Sequence, residues 1–372
     1  MSICTPEGST PLLRDTNGLK VYPSFQAMRT NYISWRNREG FLLGANLPWW
    51  NYGTDFGRSA WGHHGVSVPL VRDRIDREFA VLSDAGVRVI RWFVFCDGRC
   101  GIRFDMAGMP AGLDDYVVPD IDAALAIAEE HEIGLDLVLL DFHWMLDKKV
   151  SAGVQGGGHA PIINDSAGQR ALMENVFQPL LSRYGGHPAI FSWEVMNEPE
   201  WVIAGCGASQ ELREASTLTN FQAFTRLVAG TVHRLTSSYV TLGSAKAKWV
   251  RNWMGQGLDF YQAHYWYDPK NPDRDMDLYH VPYHDLGLDA PLVVGEFPAN
   301  PIYNRAAGYI PPQISMTDYL DTFRAAGYAG AWLWSFRGAD FGAVNVSDLK
   351  LSNRGREVGD VGDDRQTGTK DS

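Results

Sequence analysis

Two stretches of this sequence close apolar runs on carboxylates. In F-S-W-E-V-M-N-E-P, residues 191–199, the run ends at Asn197, Glu198 and Pro199; in V-V-G-E-F-P, residues 293–298, it ends at Glu296. A carboxylate at the end of a buried strand is costly unless it is paired or put to use. Two such groups flanking one bond are the equipment for glycoside hydrolysis, one protonating the leaving oxygen while the other attacks or activates water. Further polar or aromatic residues lie in or at the ends of other apolar runs: Arg91 in 87–95, His143 in 133–144, His264 and Tyr265 in 259–266, and Trp334 in 330–336.

Such groups need a scaffold that brings several strand ends together. Eight runs read as strands: 41–46, 87–95, 133–144, 189–196, 238–244, 259–266, 291–297 and 330–336. They are apolar almost without interruption, which implies burial on both faces. Amphipathic stretches at 72–86, 120–134, 166–186, 220–235 and 317–327 lie between many of them; in the first, Ile75, Phe79 and Leu82 recur at helical spacing before Gly86. The alternation predicts an α/β fold, a (β/α)8 TIM barrel forming a single catalytic domain over 41–340. A doubly wound open sheet is the alternative, but no G-x-G-x-x-G follows the first strand, which counts against a dinucleotide-binding version. In the barrel, catalytic groups sit at the C-terminal strand ends, where Glu198 and Glu296 fall, on strands across the mouth from one another. Residues 1–40 read as an N-terminal extension and 341–372 as a polar, disordered tail.

The bulk composition limits the partners. With 45% hydrophobic and 21% charged residues the chain is an ordinary globular protein, and a net charge of −11 speaks against a broad nucleic-acid-binding face. No run approaches the ~18 apolar residues of a membrane span. The first residues lack a basic segment followed by an apolar one, so the expected location is cytoplasmic, or secreted if a signal peptide has been removed. Of Cys4, Cys96, Cys100 and Cys206, the 96/100 pair reads as a disulfide or as reduced thiols in a loop, and there are too few ligands for zinc. Neither metal nor cofactor is expected; the expected partner is a carbohydrate. The oligomeric state is not legible.

Five elements, in order, carry a family likeness: Arg91 in the second strand, D-F-H-W (141–144), W-E-V-M-N-E-P (193–199), G-E-F (295–297) and W-L-W-S (332–335). Over residues 87–336 the chain resembles glycoside hydrolase clan A, and within it family 5. The resemblance implies a retaining double displacement on a β-linked hexose polymer, of the β-1,4-mannan or β-1,4-glucan type, with a leaning to mannan. It implies Glu198 as acid/base, Glu296 as nucleophile and Asn197 as a partner of the sugar 2-hydroxyl. Arg91 would keep the nucleophile ionised, His143 and His264 would line the −1 subsite, and Trp334 would be its platform. One position departs from the pattern. The tyrosine usual two residues after the sixth-strand histidine is Trp266 here, leaving Tyr265 or Tyr267 as substitutes.

Other residues are read beside these. Glu194 is expected to be a buried structural acid, with Arg91 as its alternative partner. The loop 46–62, with Trp49, Trp50, Tyr52, Phe56 and Trp61, reads either as a wall of the glycone-side subsites or as a packed lid; Trp50 and Asp55 are the substrate-binding candidates in it. Glu200 and Trp201 fall on the leaving-group side. Competing functions are a non-catalytic carbohydrate-binding barrel, an exo-acting β-glycosidase or β-mannosidase, and a metal-dependent hydrolase; the last finds no H-x-H at a strand end and no acid–histidine cluster in the sequence.

Overall fold

The computed structural model describes residues 31–36, 40–206, 214–266, 278–279, 281–298 and 315–336. Its frame is a closed barrel of eight parallel strands: β1 (Leu42–Asn46), β2 (Val89–Phe93), β3 (Gly134–Val138), β4 (Ile190–Asn197), β5 (Tyr239–Ser244), β6 (Tyr261–His264), β7 (Leu292–Pro298) and β8 (Gly330–Trp334). Closure is made by β1, which pairs with β8 (Leu42 opposite Gly330) and with β2 (Gly44 opposite Val89). All eight apolar runs read from the sequence are strands of this barrel, and it is a (β/α)8 barrel.

The outer layer holds α1 (Pro69–Asp84), α2 (Val117–Glu130), α4 (Leu218–Leu235) and α5 (Met316–Ala325). Between α2 and α4, α3 runs over residues 166–184 as Ser166–Leu172, a π-helical turn Met173–Phe177 and Gln178–Tyr184. Pro69 at the first helical position explains why α1 begins before the amphipathic pattern does, since its missing N–H would be unpaired there anyway. Among the described residues, β5 and β6 are followed by 3₁₀ turns, Ala247–Trp253 and Tyr283–Leu286.

Side-chain alternation along the strands divides the molecule into two cores. Outward residues pack on the helices. Inward residues at the N-terminal end form an apolar floor of Leu42, Val89, Phe191, Phe260, Val293 and Trp332. Gly44 is required here: a methyl group on it would stand 2.1 Å from the Trp332 ring. Ile33 and Trp35, from the segment before β1, pack onto the same floor, with Trp35 edge-on to Phe191. Most of the 1–40 extension and all of the 341–372 tail lie outside the described residues. Cys96 and Cys100 are free, buried thiols. No helix among the described residues is long and apolar enough to cross a membrane.

Candidate active site

Above the apolar floor the barrel interior turns polar, and Arg91 is its hub. All five guanidinium N–H bonds have acceptors. Nε and Nη2 donate to Glu194 at 2.7 and 2.6 Å, Nη1 to Glu296 Oε1 at 2.7 Å and Asn46 Oδ1 at 3.0 Å, and Nη2 also to Asn197 Oδ1 at 2.7 Å. The two readings of Arg91, partner of Glu194 or neighbour of Glu296, are therefore both true. Glu194 is fully buried and paired, as expected of a structural acid. Asp136 lies in the same layer and accepts from Ser192 and Gln262. Burial, then the nearby Glu194, pushes its carboxyl well above the usual range.

Glu198 and Glu296 converge over this layer. One oxygen of each carboxyl and a ring nitrogen of His264 lie within 4.8 Å of one another. Local irregularities aim them. The β4–β5 register shifts between Glu194 and Asn197, the β7–β8 register shifts between Val294 and Phe297, and Glu198 itself adopts a left-handed conformation (φ 47°) ahead of Pro199. A non-glycine residue in that region is held by its surroundings, as is frequent at functional sites. Glu198 Oε1 lies 2.7 Å from His264 Nδ1, and its Oε2 accepts from Trp201 Nε1 at 2.7 Å. Glu296 accepts from Arg91 on one oxygen and from Trp266 Nε1, at 3.1 Å, on the other.

Burial pushes both carboxyls up to about 7. For Glu296 this corrects the expectation of a low value, since desolvation outweighs the opposing His264 and Arg91. Two acids this close and this poised share protons, and the hydrogen bonds decide which keeps one. Glu296 receives a charge-assisted donor from a guanidinium, which favours its ionised form, whereas Glu198 faces a histidine. Burial pushes His264 down to about 4, so it is neutral near pH 7. Of the two, these contacts favour Glu198 as the proton carrier.

His143 stands beside the cleft on a 3₁₀ turn, its Nδ1 on Asp141. Although burial acts against both charges, the pair is ionic: Asp141 is lowered by His143, and His143 is raised by Asp141. Asp141 Oδ2 also accepts from Asn197 Nδ2 at 2.7 Å, so the Asn197 amide is oriented at both ends. Trp334, half-buried, meets Trp49 and Trp266 edge-on.

Two proposed contacts do not reach the cleft. The Tyr265 ring is buried against Tyr279, Tyr319 and Phe323 in the outer layer. Alternation is the reason: His264 points inward, Tyr265 must point outward, and Trp266 returns to the mouth. Asp55 is also buried, accepting the backbone N–H groups of Trp50 and Asn51 and the indole N–H of Trp92, so it braces its loop rather than a sugar. In that loop Trp49 and Phe56 are core and Trp50 packs onto it, while Tyr52 and Trp61 stay partly exposed around the Arg99 guanidinium. Glu200 is a structural acid, buried and holding Ser244, Ala245 and Trp253. Tyr267 lies outside the described residues. Sequence reasoning missed Asn46, Asp141, Trp266 and Gln262; the period-two pattern of β6 was the available signal for the last two.

The fold also assembles the acid–histidine cluster that the linear sequence does not show, in Glu198, His264 and Glu296. Its carboxylate oxygens and His264 Nδ1 are occupied, however, and only His264 Nε2 is without a partner among the described residues. Both Glu296 oxygens already accept protein N–H bonds, and Arg91 supplies the cation.

No protein-family model matches the chain. A mannan endo-1,4-β-mannosidase of Mytilus edulis is 24% identical over 339 residues, which span 82% of this chain and 85% of the mussel protein. The similarity extends over most of both chains, and the fold is of the clan A, family 5-like glycoside hydrolase type. Another mannan endo-1,4-β-mannosidase, of Cryptopygus antarcticus, is 27% identical over 180 residues, 48% of the hydrolase described here and 43% of the other. The solved endo-1,4-β-mannanase of Eisenia fetida superposes with a TM-score of 0.70 at 23% identity, over 88% of this hydrolase and 94% of that chain, which shows the shared fold.

Proposed function

We propose that the protein is a retaining endo-β-1,4-mannanase in which Glu296 is the nucleophile and Glu198 the acid/base. The observation that carries this reading is the approach of the two carboxylates to within 4.8 Å. One oxygen of each lies inside that limit, which fits the short spacing of double displacement, about 5–5.5 Å between carboxyls, better than the roughly 6.5 Å or more of an inverting site. Glu296, held ionised by Arg91 and oriented by Trp266, attacks the anomeric carbon of the −1 sugar. Glu198 gives its proton to the departing glycosidic oxygen and then, as a carboxylate, takes one from the water that releases the sugar. Asn197, fixed between Arg91 and Asp141, offers its amide to the 2-hydroxyl. Trp334 provides the flat apolar face beneath the ring, and His143 lines the same subsite.

The mannan preference rests on the similarity to proteins named as mannan endo-1,4-β-mannosidases. A polymer of that size is met outside the cell, and the disulfide-bonded Cys206 fits an oxidising compartment. Product sizing on purified mannan, with β-1,4-glucan in parallel, tests substrate and endo action: a ladder of oligosaccharides is expected from mannan and little from glucan. Azide rescue tests the roles. With Glu198→Ala and a good leaving group, Glu296 still forms the glycosyl-enzyme, and azide should release the β-azide with configuration retained. With Glu296→Gly, azide enters from the vacated face and should give the α-azide. Opposite products would mean that the roles are exchanged.

A further inference from the structure

Glu198 is held on both oxygens, and the two partners differ in kind. His264 Nδ1, 2.7 Å from Oε1, can donate or accept. The indole Nε1 of Trp201, 2.7 Å from Oε2, can only donate. A donor of that sort is held more strongly by a carboxylate than by a neutral carboxyl, so it favours the ionised form. Burial and the neighbouring Asp141 favour the acid; Trp201, ahead of Arg91 and Lys246, opposes them.

The protein fixes this indole with its own side chains. Trp201 stands on the 3₁₀ turn Pro199–Val202, which begins directly after Glu198. Glu200, in the same turn, accepts from Ser244 Oγ, Ala245 N and Trp253 Nε1 and so ties the turn to the end of β5. Trp249, from the turn that follows β5, meets the Trp201 ring edge-on at 5.8 Å. The buried Lys246 ammonium lies 5.3 Å from the centre of the Trp201 ring and 5.6 Å from that of Trp249. One glutamate has to act first as an acid and then as a base, and the anchored indole serves the second of these states.

We infer that Trp201 is a positioning residue for the hydrolytic half of the reaction: its indole N–H aims the Glu198 carboxylate and holds it ready to take a proton from the attacking water. This rests on the reading of Glu198 as acid/base. In that step the water oxygen bonds to the anomeric carbon as the bond to Glu296 breaks. The electron pair returns to the Glu296 carboxylate, and the water proton passes to Glu198. The charged and titratable groups facing Glu198 are His264, Glu296, Asp141, His143, Arg91 and Lys246, and a change at Trp201 alters none of them.

Trp201→Phe deletes the donor and keeps a ring against Trp249 and Lys246. Two limbs of the pH dependence should then move the same way. The alkaline limb of kcat/KM on an oligosaccharide, where Glu198 must hold its proton, should rise by about one pH unit. The acidic limb of kcat on an activated aryl β-glycoside, where release of the glycosyl-enzyme is limiting and Glu198 must be ionised, should rise by a similar amount. That is the roughly tenfold change in proton affinity expected of a hydrogen bond to a charged group. On the acidic side kcat should fall about tenfold, and azide, which needs no base, should restore it with the β-azide as product. Equal losses in kcat and kcat/KM, with unmoved limbs and no azide rescue, would assign Trp201 to packing. A raised KM on oligosaccharides alone would assign it to the leaving sugar. Either result overturns the inference. The bond can also be read without turnover or substitution of Trp201. In the wild-type enzyme labelled with ¹⁵N-tryptophan, one indole N–H resonance should move downfield with a midpoint at about 7 as Glu198 ionises, and cease to move in Glu198→Gln. The lack of such a resonance overturns the inference even if Trp201→Phe does not fold. The reading of Glu198 fails separately, if azide does not rescue Glu198→Ala.

Discussion

The indole of Trp266 donates to Glu296 Oε2 at 3.1 Å, on the oxygen that Arg91 does not take. The orientation of Glu296, the proposed nucleophile, is thus divided between a guanidinium from β2 and an indole just past β6. Trp266→Phe keeps an aromatic ring near Trp334 and deletes the donor. Because a hydrogen bond to a charged group contributes about 1.5–3 kcal/mol, kcat/KM should fall by roughly 10- to 100-fold with little change in melting temperature. Unchanged kinetics would mean that Arg91 alone orients Glu296.

Activity should be bell-shaped in pH. It is lost below the point where Glu296 takes up its proton and above the point where Glu198 gives its proton up. Both groups are raised to about 7 by burial, so the two limbs belong to the pair and should lie close together, with a narrow maximum near neutrality. A chelator should leave the profile unchanged. Chelator-sensitive activity restored by zinc would assign Glu198, His264 and Glu296 to a metal instead.

Glu198→Gln separates stability from catalysis. The folded protein holds the Glu198 proton up to about pH 7, whereas an exposed glutamate loses it near 4.5. The folded-state value is the higher one, so the stabilising effect of protonation is complete below 4.5 and lost as the pH rises through 7. The glutamine variant resembles the protonated form at every pH. It should match the wild type near pH 4 and exceed it at pH 8 by up to about 3 kcal/mol, read by urea unfolding at each pH. A constant difference between the two proteins would contradict this.

Trp334→Ala and Asp55→Ala should fail in opposite ways. Trp334 is half-buried beside Trp266 and is the proposed platform, so its loss should cut kcat/KM at least about tenfold while the fold persists. Asp55 braces three N–H groups, and leaving them unpaired should cost about 1–3 kcal/mol each. The melting temperature should therefore drop sharply in Asp55→Ala, and KM should move only as far as the loop does. A stable Asp55→Ala enzyme with a raised KM would return Asp55 to the substrate.

Much of this protein is set by its linear pattern. Eight apolar runs separated by amphipathic segments bury both strand faces only in a layered α/β barrel, and a carboxylate that ends such a run must stand at the mouth. Glu198, Glu296, His143, Asn197, His264 and Trp334 were legible as strand-end groups for that reason, and Arg91 as a charge within an apolar strand. Direction along a strand is also written in the sequence, because the side-chain period is two; read strictly, it turns Tyr265 outward and brings Trp266 and Gln262 inward. What only the tertiary structure decides is closure. Asn46, Arg91, Glu194 and Glu296 come from four different strands, and their distances follow from barrel stagger and from register shifts in β4 and β7 that no local pattern announces. The same holds for protonation. Asp55 and Glu200 are as acidic in sequence as Glu198, and only the donors assembled around each, together with its distance from Glu296, make two of them braces and leave the third as the proposed acid beside the proposed nucleophile.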